Sequence, residues 1–297
     1  MANAQIDAIR TLLTQNPIIQ PGDSLADMRK GLDSMGSATP RLADVSATAV
    51  DAGGVSAEWL TPVGGDTQSV ILYLHGGGYL LGSVDSHRAM LERLAKASGR
   101  RVLAINYRLA PEAPFPAPVE DACAAYRWLL AQGIAARRIA ISGDSAGGGL
   151  ALATLLALRD AGDPMPGCAV PISPWTDMEG TGASMETRAA VDPMVQKGPL
   201  TEMAGAYLQG ADTRNPLASP LYGDFKGLPP LLIQVGDAET LLDDTTRIVP
   251  KLKAAGVDVT MEVWPEMIHV WHLFAPMLDK GQEAIDGIGA FVRKHCA

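Results

Sequence analysis

The chain has 297 residues, of which 47% are hydrophobic and 19% are charged, and its formal net charge at pH 7 is −9. A chain of this length and composition can bury one large core, or a core with an appended cap. Its negative charge argues against nucleic acid and anionic membranes as partners, because both would repel an acidic surface.

The amino-terminal region is predicted to form two short amphipathic helices. The apolar stripe of the first helix consists of Ile6, Ile9, Leu12 and Leu13. Asp7 and Arg10 interrupt this region, so it lacks the basic start and continuous apolar core of a signal peptide. The second helix begins with a capping pattern, in which Asp27 follows Ser24 by three residues. Since no segment is typical of a transmembrane helix, we expect a cytoplasmic protein without stable membrane insertion.

Eight predicted strands place the chain in the α/β class. Six of them alternate with helical stretches, at residues 70–74, 101–105, 138–142, 169–173, 231–235 and 257–263. This alternation is typical of a parallel sheet covered by helices. Two earlier strands, at 44–50 and 55–61, are expected to add an antiparallel edge.

A run of glycines follows one of these strands. The strand Ser69–Leu74 leads into His75-Gly-Gly-Gly78, which resembles the oxyanion loop of lipases and esterases. Consecutive glycines let the backbone approach a substrate carbonyl, so that the N–H groups of Gly77 and Gly78 can stabilise the oxygen as it becomes negative. We interpret His75 as a structural residue that braces this loop by hydrogen bonds.

A proline-rich segment follows the strand at 101–105. It reads Asn106-Tyr-Arg-Leu-Ala-Pro-Glu112 and continues with Pro114-Phe-Pro-Ala117. The prolines disfavour a helix and are expected to shape a rigid connection into the next one. The segment is therefore predicted to position the site without taking part in the chemistry.

The most informative stretch is Ile139-Ala-Ile-Ser-Gly-Asp-Ser-Ala-Gly-Gly-Gly149. Residues 139–141 predict a buried strand and residues 150–158 a helix rich in Ala and Leu, so Ser145 lies on the sharp turn of a Gly-x-Ser-x-Gly motif. Such an elbow presents a nucleophilic serine. Ala146 lies in the first turn of the helix, where free N–H groups favour an anion, and it is the third candidate donor of the oxyanion hole.

The HGGG loop, the YRLAPE segment and the GDSAG elbow, in this order, resemble the hormone-sensitive-lipase-like branch of the α/β-hydrolase esterases. The likeness spans roughly residues 50–297. It implies an α/β-hydrolase fold, in which helices flank an eight-stranded, mostly parallel sheet, and a Ser-His-acid triad whose acid and histidine come late in the chain. It also implies a homodimer, although the sequence itself leaves the number of subunits open.

The remaining segments are predicted to form a helical cap in two parts, residues 1–43 and 180–214. The catalytic core is then divided into residues 44–179 and 215–297. Both parts of the cap contain methionines: Met28, Met35, Met185, Met194 and Met203. Methionine fills irregular apolar space, which suits either ordinary helix packing or an acyl-binding surface.

The acid is expected in the loop after the strand at 231–235, which reads Gly-Asp-Ala-Glu-Thr-Leu-Leu-Asp-Asp. The family usually shows Asp-Pro-Leu-x-Asp-Glu here. Aligning this pattern places Glu239 where the family's catalytic aspartate stands, and glutamate can orient an imidazole as aspartate does. Asp237 is the alternative acid. We interpret Asp243 and Asp244 as solvated or helix-starting carboxylates.

The base is chosen among the histidines, which are His75, His87, His269, His272 and His295. The triad order of α/β-hydrolases places the base after the acid, which leaves the last three. His269 lies in Met267-Ile-His-Val270, a segment that resembles the family's base segment, and it is the predicted base. His272 is the alternative, although a histidine at the start of an apolar stretch is more typical of packing or capping.

The predicted reaction is the hydrolysis of small carboxylic esters with short to medium acyl chains. Ser145 attacks the carbonyl, His269 transfers the proton to the leaving alcohol, and Glu239 orients the histidine. Water then releases the acyl group. The predicted activity falls below about pH 6 to 7, as the imidazole becomes protonated.

No cofactor and no metal is expected. The three widely spaced cysteines indicate neither a disulfide framework nor a zinc site: Cys123, Cys168 and Cys296. An N-acyl amidase or deacetylase with the same triad is the alternative function. A non-catalytic small-molecule receptor is a third hypothesis, which the presence of all three candidate triad residues disfavours.

Overall fold

An eight-stranded sheet with helices on both faces forms the body of the protein. The structure, a computed structural model, describes residues 4–17 and 22–296. The strands are β1 (Val45–Asp51), β2 (Ser56–Pro62), β3 (Asp66–Leu74), β4 (Arg100–Ile105), β5 (Ile139–Asp144), β6 (Cys168–Ile172), β7 (Leu231–Gly236) and β8 (Val259–Trp264). The helices are α1 (Ala4–Gln15), α2 (Leu25–Ser37), α3 (Val84–Ser98), α4 (Ala117–Ala131), α5 (Ala146–Asp160), α6 (Ser184–Thr187), α7 (Lys197–Leu208), α8 (Leu242–Ala254) and α9 (Asp279–His295).

The strand order across the sheet is β1-β2-β4-β3-β5-β6-β7-β8. Strand β2 is antiparallel to both β1 and β4, whereas the pairs from β4 to β8 are parallel. The predicted α/β class, the eight strands and the antiparallel edge are therefore confirmed. Strand β3 begins at Asp66, earlier than predicted, and its pairing with β4 is irregular between Asp66 and Val70.

The carboxyl ends of the parallel strands meet at one edge of the sheet. Leu74, the last residue of β3, lies opposite Gly143 of β5, and Asp144 lies opposite Ile172 of β6. The glycine loop and the serine turn therefore leave the sheet side by side. In sheets of this kind, ligands bind beyond the carboxyl ends of the strands.

The core lies on both faces of the sheet. Along β3, Leu72 and Leu74 point to a cluster that includes α4, α5 and α8, while Ile71 and Tyr73 point to a cluster that includes α3 and α9. This alternation follows from the two-residue repeat of a strand. Strand β5 is buried throughout, as the apolar run at residues 139–141 predicts.

Helix α1 packs against the carboxyl-terminal part of the chain. Its buried residues Ile6, Ile9 and Leu13 contact a cluster that includes Trp271. Leu12 is 45% exposed, so the predicted apolar stripe is narrower than expected on this side. A helix presents only about a third of its residues to one neighbour, and Leu12 lies beyond that face.

Helix α2 starts at the predicted cap and is anchored by an arginine. The Ser24 hydroxyl accepts a hydrogen bond from the Asp27 N–H at 3.2 Å. The Arg29 guanidinium donates to the carbonyl of Leu80 at 2.8 Å, to that of Ala110 at 3.0 Å and to both carboxylate oxygens of Glu112 at 2.8 Å. Arg29 thus connects α2 to the loop after the glycines and to the proline-rich segment.

The segment at 180–214 contains α6 and α7, joined by an irregular stretch at residues 188–196. Tyr207 of α7 is buried and packs on the core. Of the helices in the described ranges, none is long and apolar enough to cross a membrane.

Candidate active site

Ser145 occupies a strained turn between β5 and α5. Its φ is 54° and its ψ is −121°, a backbone conformation that is costly for a residue with a side chain. The Ser145 N–H donates to the carbonyl of Ile172 at 2.9 Å, which fixes the turn to β6. In the first turn of the helix, a Cβ on Gly147 would lie 1.9 Å from the carbonyl oxygen of Leu74. The predicted elbow therefore exists, and it depends on the close approach of α5 to β3.

His269 is paired with Glu239. The Nδ1 atom of His269 lies 2.5 Å from Oε2 of Glu239, and both side chains are buried. The other carboxylate oxygen of Glu239 accepts hydrogen bonds from the Ser173 hydroxyl at 2.9 Å and from the Gly236 N–H at 2.6 Å. One carboxylate oxygen of Glu239 is therefore held by two donors, and the other oxygen faces the imidazole.

The charges around His269 favour its protonated form. Burial lowers the pKa of His269, but the hydrogen bond and charge of Glu239, with the charges of Asp192 and Asp144, raise the pKa above its ordinary value. A base with a raised pKa accepts a proton more readily, which suits a group that must take a proton from a hydroxyl.

The alternative acid, Asp237, and the alternative base, His272, bond to other groups. Asp237 is partly exposed, and its carboxylate accepts a hydrogen bond from the Glu266 N–H at 2.7 Å. His272 is buried, with Nε2 2.7 Å from the amide oxygen of Gln234, and burial lowers its pKa to about 3. The packed role expected for His272 matches this environment. Glu239, and not Asp237, contacts the predicted base.

Ser145 and His269 line one cavity of about 320 Å³, together with Gly77 and Gly78. Gly77 and Gly78 have φ of 114° and 63°, so the loop takes a path that residues with side chains rarely follow. Ala146 is the first residue of α5, where backbone N–H groups lack a carbonyl partner within the helix. Two of the three candidate oxyanion donors therefore line the same cavity as Ser145, and the third directly follows Ser145 in the chain. The apolar residues of the cavity include Leu13, Leu32, Met194, Val195, Leu200 and Met203.

A buried network next to the nucleophile was not anticipated from the sequence. The Asp144 carboxylate accepts hydrogen bonds from the Tyr73 hydroxyl at 2.7 Å, from the Gly76 N–H at 3.1 Å and from His87 Nε2 at 3.1 Å. Burial raises the pKa of Asp144, but His87 and then Tyr73 lower it below its ordinary value. Burial lowers the pKa of His87, and Asp144 raises it overall. Both directions favour the charged forms of His87 and Asp144, and the hydrogen bond from Gly76 to Asp144 fixes the start of the glycine loop.

His75 has the bracing role expected of it. Its Nδ1 lies 2.8 Å from the carbonyl oxygen of Gly76, and its ring stacks on Tyr107 with centroids 4.2 Å apart. The Tyr107 hydroxyl donates to the carbonyl of His75 at 2.7 Å. Burial lowers the pKa of His75 to about 3, so the imidazole is neutral at pH 7.

Asp244 lies in the first turn of α8, as the helix-starting interpretation predicts, but it is not solvated. Asp244 is wholly buried, and it accepts hydrogen bonds from the N–H groups of Thr176 at 2.6 Å and Asp177 at 3.0 Å. Burial raises its pKa to about 7. Asp243 does lie in the first turn of α8, and it accepts a hydrogen bond from the Ser184 N–H at 2.9 Å. Both carboxylates secure loops outside their own helix.

Known proteins resemble this chain along its whole length. The sequence profile of a family described as the alpha/beta hydrolase fold matches residues 71–273. An acetyl-hydrolase of Streptomyces hygroscopicus is 47% identical over 99% of this chain and 97% of its own length. An esterase of Acinetobacter venetianus is 33% identical over 89% of this chain and 87% of its own length. A crystal structure of an esterase from the bacterial hormone-sensitive lipase family superimposes with a TM-score of 0.97, at 48% identity and with all of both chains covered.

Proposed function

Since the chain belongs to the α/β-hydrolase fold family, in its hormone-sensitive-lipase-like branch, and is a carboxylic ester hydrolase, we propose that it hydrolyses small esters through Ser145, His269 and Glu239. The observation that carries the proposal is the 2.5 Å contact between His269 and Glu239, next to a cavity that His269 shares with Ser145. An acid, a base and a nucleophile in this arrangement support acyl transfer.

In the first half of the reaction, Ser145 Oγ attacks the ester carbonyl while Nε2 of His269 takes the hydroxyl proton. The imidazolium that forms is stabilised by Glu239 on the opposite nitrogen. The proton then passes to the alkoxide oxygen, and the alcohol leaves an acyl-enzyme. In the second half, His269 takes a proton from water, the hydroxide attacks the acyl-enzyme, and Ser145 receives the proton back as the acid departs.

The negative oxygen of each tetrahedral intermediate requires donors that are already in place. We propose the N–H groups of Gly77, Gly78 and Ala146 for this role. The proposal is supported by the cavity that Gly77 and Gly78 share with Ser145, and by the position of Ala146 at the positive end of the α5 dipole. Each such donor typically contributes on the order of 10² to 10³ in rate.

We further propose that the cap consists of residues 1–43 and 180–214, placed over a core of residues 44–179 and 215–297. Leu13 from the first part and Met203 from the second line the catalytic cavity, which supports a shared role. Residues 1–3, 18–21 and 297 lie outside the described part of the chain. A cavity of about 320 Å³ is at the small end for ligand sites, which favours short to medium acyl chains.

The test is hydrolysis of p-nitrophenyl esters from acetate to long-chain acyl groups, by the wild type and by Ser145→Ala. We expect the rate to peak on short chains and to fall on the order of 10⁴-fold or more without the serine. A matched anilide measures the amidase alternative, and faster anilide cleavage would replace the esterase proposal. Ligand binding without turnover in the wild type would point to a receptor instead.

We also propose a cytoplasmic location and a homodimer formed through the edge of β8. An odd, widely spaced set of three cysteines is usual in a reducing compartment. Met261 and Val263 are 38% and 40% exposed on β8, an edge strand whose outer backbone groups can pair with a second copy. Cell fractionation and light scattering of the purified protein test these two proposals.

A further inference from the structure

Asp192 joins the wall of the catalytic cavity to the loop that carries Glu239. One carboxylate oxygen accepts hydrogen bonds from the N–H groups of Met194 and Val195, both at 2.9 Å. The other oxygen accepts from the N–H of Thr240 at 2.8 Å and from its hydroxyl at 3.2 Å. Met194 and Val195 line the cavity, and Thr240 directly follows Glu239. The side chain of Asp192 therefore connects the cavity wall to the loop that carries Glu239.

The carboxylate of Asp192 is buried among hydrogen-bond donors. Asp192 is only 3% exposed, and all four contacts come from hydrogen-bond donors. Among the residues that the structure describes, no lysine, arginine or histidine lies within ion-pair distance of it. Its charge is therefore not neutralised locally and acts on His269 through a poorly screening interior.

Four ionisable groups act on or face the base. Glu239 hydrogen-bonds to His269 and stabilises its protonated form, and the charges of Asp192 and Asp144 act in the same direction. His272, from the turn that follows, is neutral at pH 7 because burial lowers its pKa to about 3. Asp144 has its own buried partner, whereas Asp192 is held by uncharged donors alone. Replacing Asp192 therefore changes the charge near His269 without freeing a buried cation.

We propose that Asp192 is a positioning residue of the esterase site, which fixes residues 194–195 against the acid loop and stabilises the imidazolium form of His269 together with Glu239. This inference rests on the proposed role of His269 as the base. Asp192 touches neither the nucleophile nor the carbonyl in the mechanism above, and it acts through Thr240 and through its charge.

The experiment is the pH profile of kcat/KM on p-nitrophenyl butyrate for Asp192→Asn, Asp192→Glu and Thr240→Val. Removing the charge lowers the affinity of His269 for a proton, so the acid limb of Asp192→Asn moves to lower pH by about half a unit, and kcat at neutral pH falls about threefold. Loosening of the wall raises KM. Asp192→Glu keeps the charge and therefore the position of the limb. Thr240→Val removes one hydroxyl contact and leaves the limb in place.

Asp177→Asn is the control for the loss of a buried carboxylate elsewhere, since Asp177 accepts hydrogen bonds from the N–H groups of Glu179 and Thr181 and is ion-paired with Arg247. An acid limb that shifts only in Asp192→Asn supports the proposal. An unchanged limb in Asp192→Asn, or an equal shift in Asp177→Asn or Asp192→Glu, would overturn it. Failure of the proposed function is separate, because it appears as full activity in His269→Ala or Ser145→Ala, whatever the Asp192 variants do.

Discussion

The imidazole of His269 and the carboxylate of Glu239 lie 2.5 Å apart, although 30 residues separate them in the chain. The loops that carry them follow β7 and β8, which are adjacent and parallel, so the fold delivers both side chains to one edge of the sheet. The contact distinguishes Glu239 from Asp237, which lies two residues earlier in the same loop.

Glu239→Gln is expected to lower kcat on the order of 10³ to 10⁴-fold, because the imidazolium loses its charged partner and the amide can favour the wrong tautomer. Asp237→Asn is the matched control and is expected to stay within about twofold, since this carboxylate bonds to the Glu266 N–H at the surface. Steady-state kinetics on p-nitrophenyl butyrate measure both. The opposite ranking would move the acid to Asp237.

The acid limb of kcat/KM is expected above pH 6.5, the ordinary pKa of histidine. His269 must be neutral to accept the serine proton, and its pKa in the folded protein is raised, so the active fraction decreases as the pH falls through that raised value. In Glu239→Gln the residual activity is expected to show its limb at lower pH. A wild-type profile that stays flat down to pH 5 would contradict the assignment of His269 as the base.

Gly147→Ala is expected to destabilise the fold by more than about 2 kcal/mol. A helix ordinarily gains about 1 kcal/mol from this change, but here the added Cβ meets the Leu74 carbonyl at 1.9 Å and forces α5 away from β3. Gly205→Ala is the control at an exposed position of α7, where a Cβ meets nothing within 4 Å, and it is expected to be stabilising. Urea unfolding compares the two variants, and equal stability would count against the close approach.

Asp244 is expected to make the protein less stable as the pH rises from about 4 to 7. Its pKa is raised to about 7 in the folded state, against about 3.9 in an unfolded chain, so the folded state binds the extra proton across this window. The contribution is fully present below pH 4 and is lost above pH 7. Asp244→Asn resembles the protonated acid and lacks this titration. The free energy of unfolding of the variant minus that of the wild type should therefore increase from pH 5 to pH 8. Urea unfolding at both pH values gives the comparison, and an unchanged difference would refute it.

The elbow and the glycine loop could be predicted from the sequence because their determinants are local. A strand, a Gly-x-Ser-x-Gly turn and a helix occupy consecutive residues, and the order of apolar and small residues specifies all three. The choice of Glu239 instead relied on a family pattern, since four carboxylates share its loop and no local rule separates them.

The supporting residues could not be predicted because their partners are distant in sequence. Ser173 bonds to Glu239 across 66 residues, His87 to Asp144 across 57, and Asp192 to the acid loop across 48. The burial of Asp244 could not be predicted for the same reason. An aspartate in the first turn of a helix usually faces water, whereas this one satisfies backbone groups 68 residues away.

The residues that line the cavity extend along the chain from Leu13 to Leu273. Ser145 lies near the middle of this range, and His269 lies near its end. During translation the elbow and the glycine loop leave the ribosome first, while the acid, the base and the final wall follow more than 90 residues later. A nascent chain therefore carries the proposed nucleophile well before the proposed acid and base have been made. The proposed triad is complete only when β8 and the loop that follows it have joined the sheet, so the proposed mechanism requires almost the whole fold.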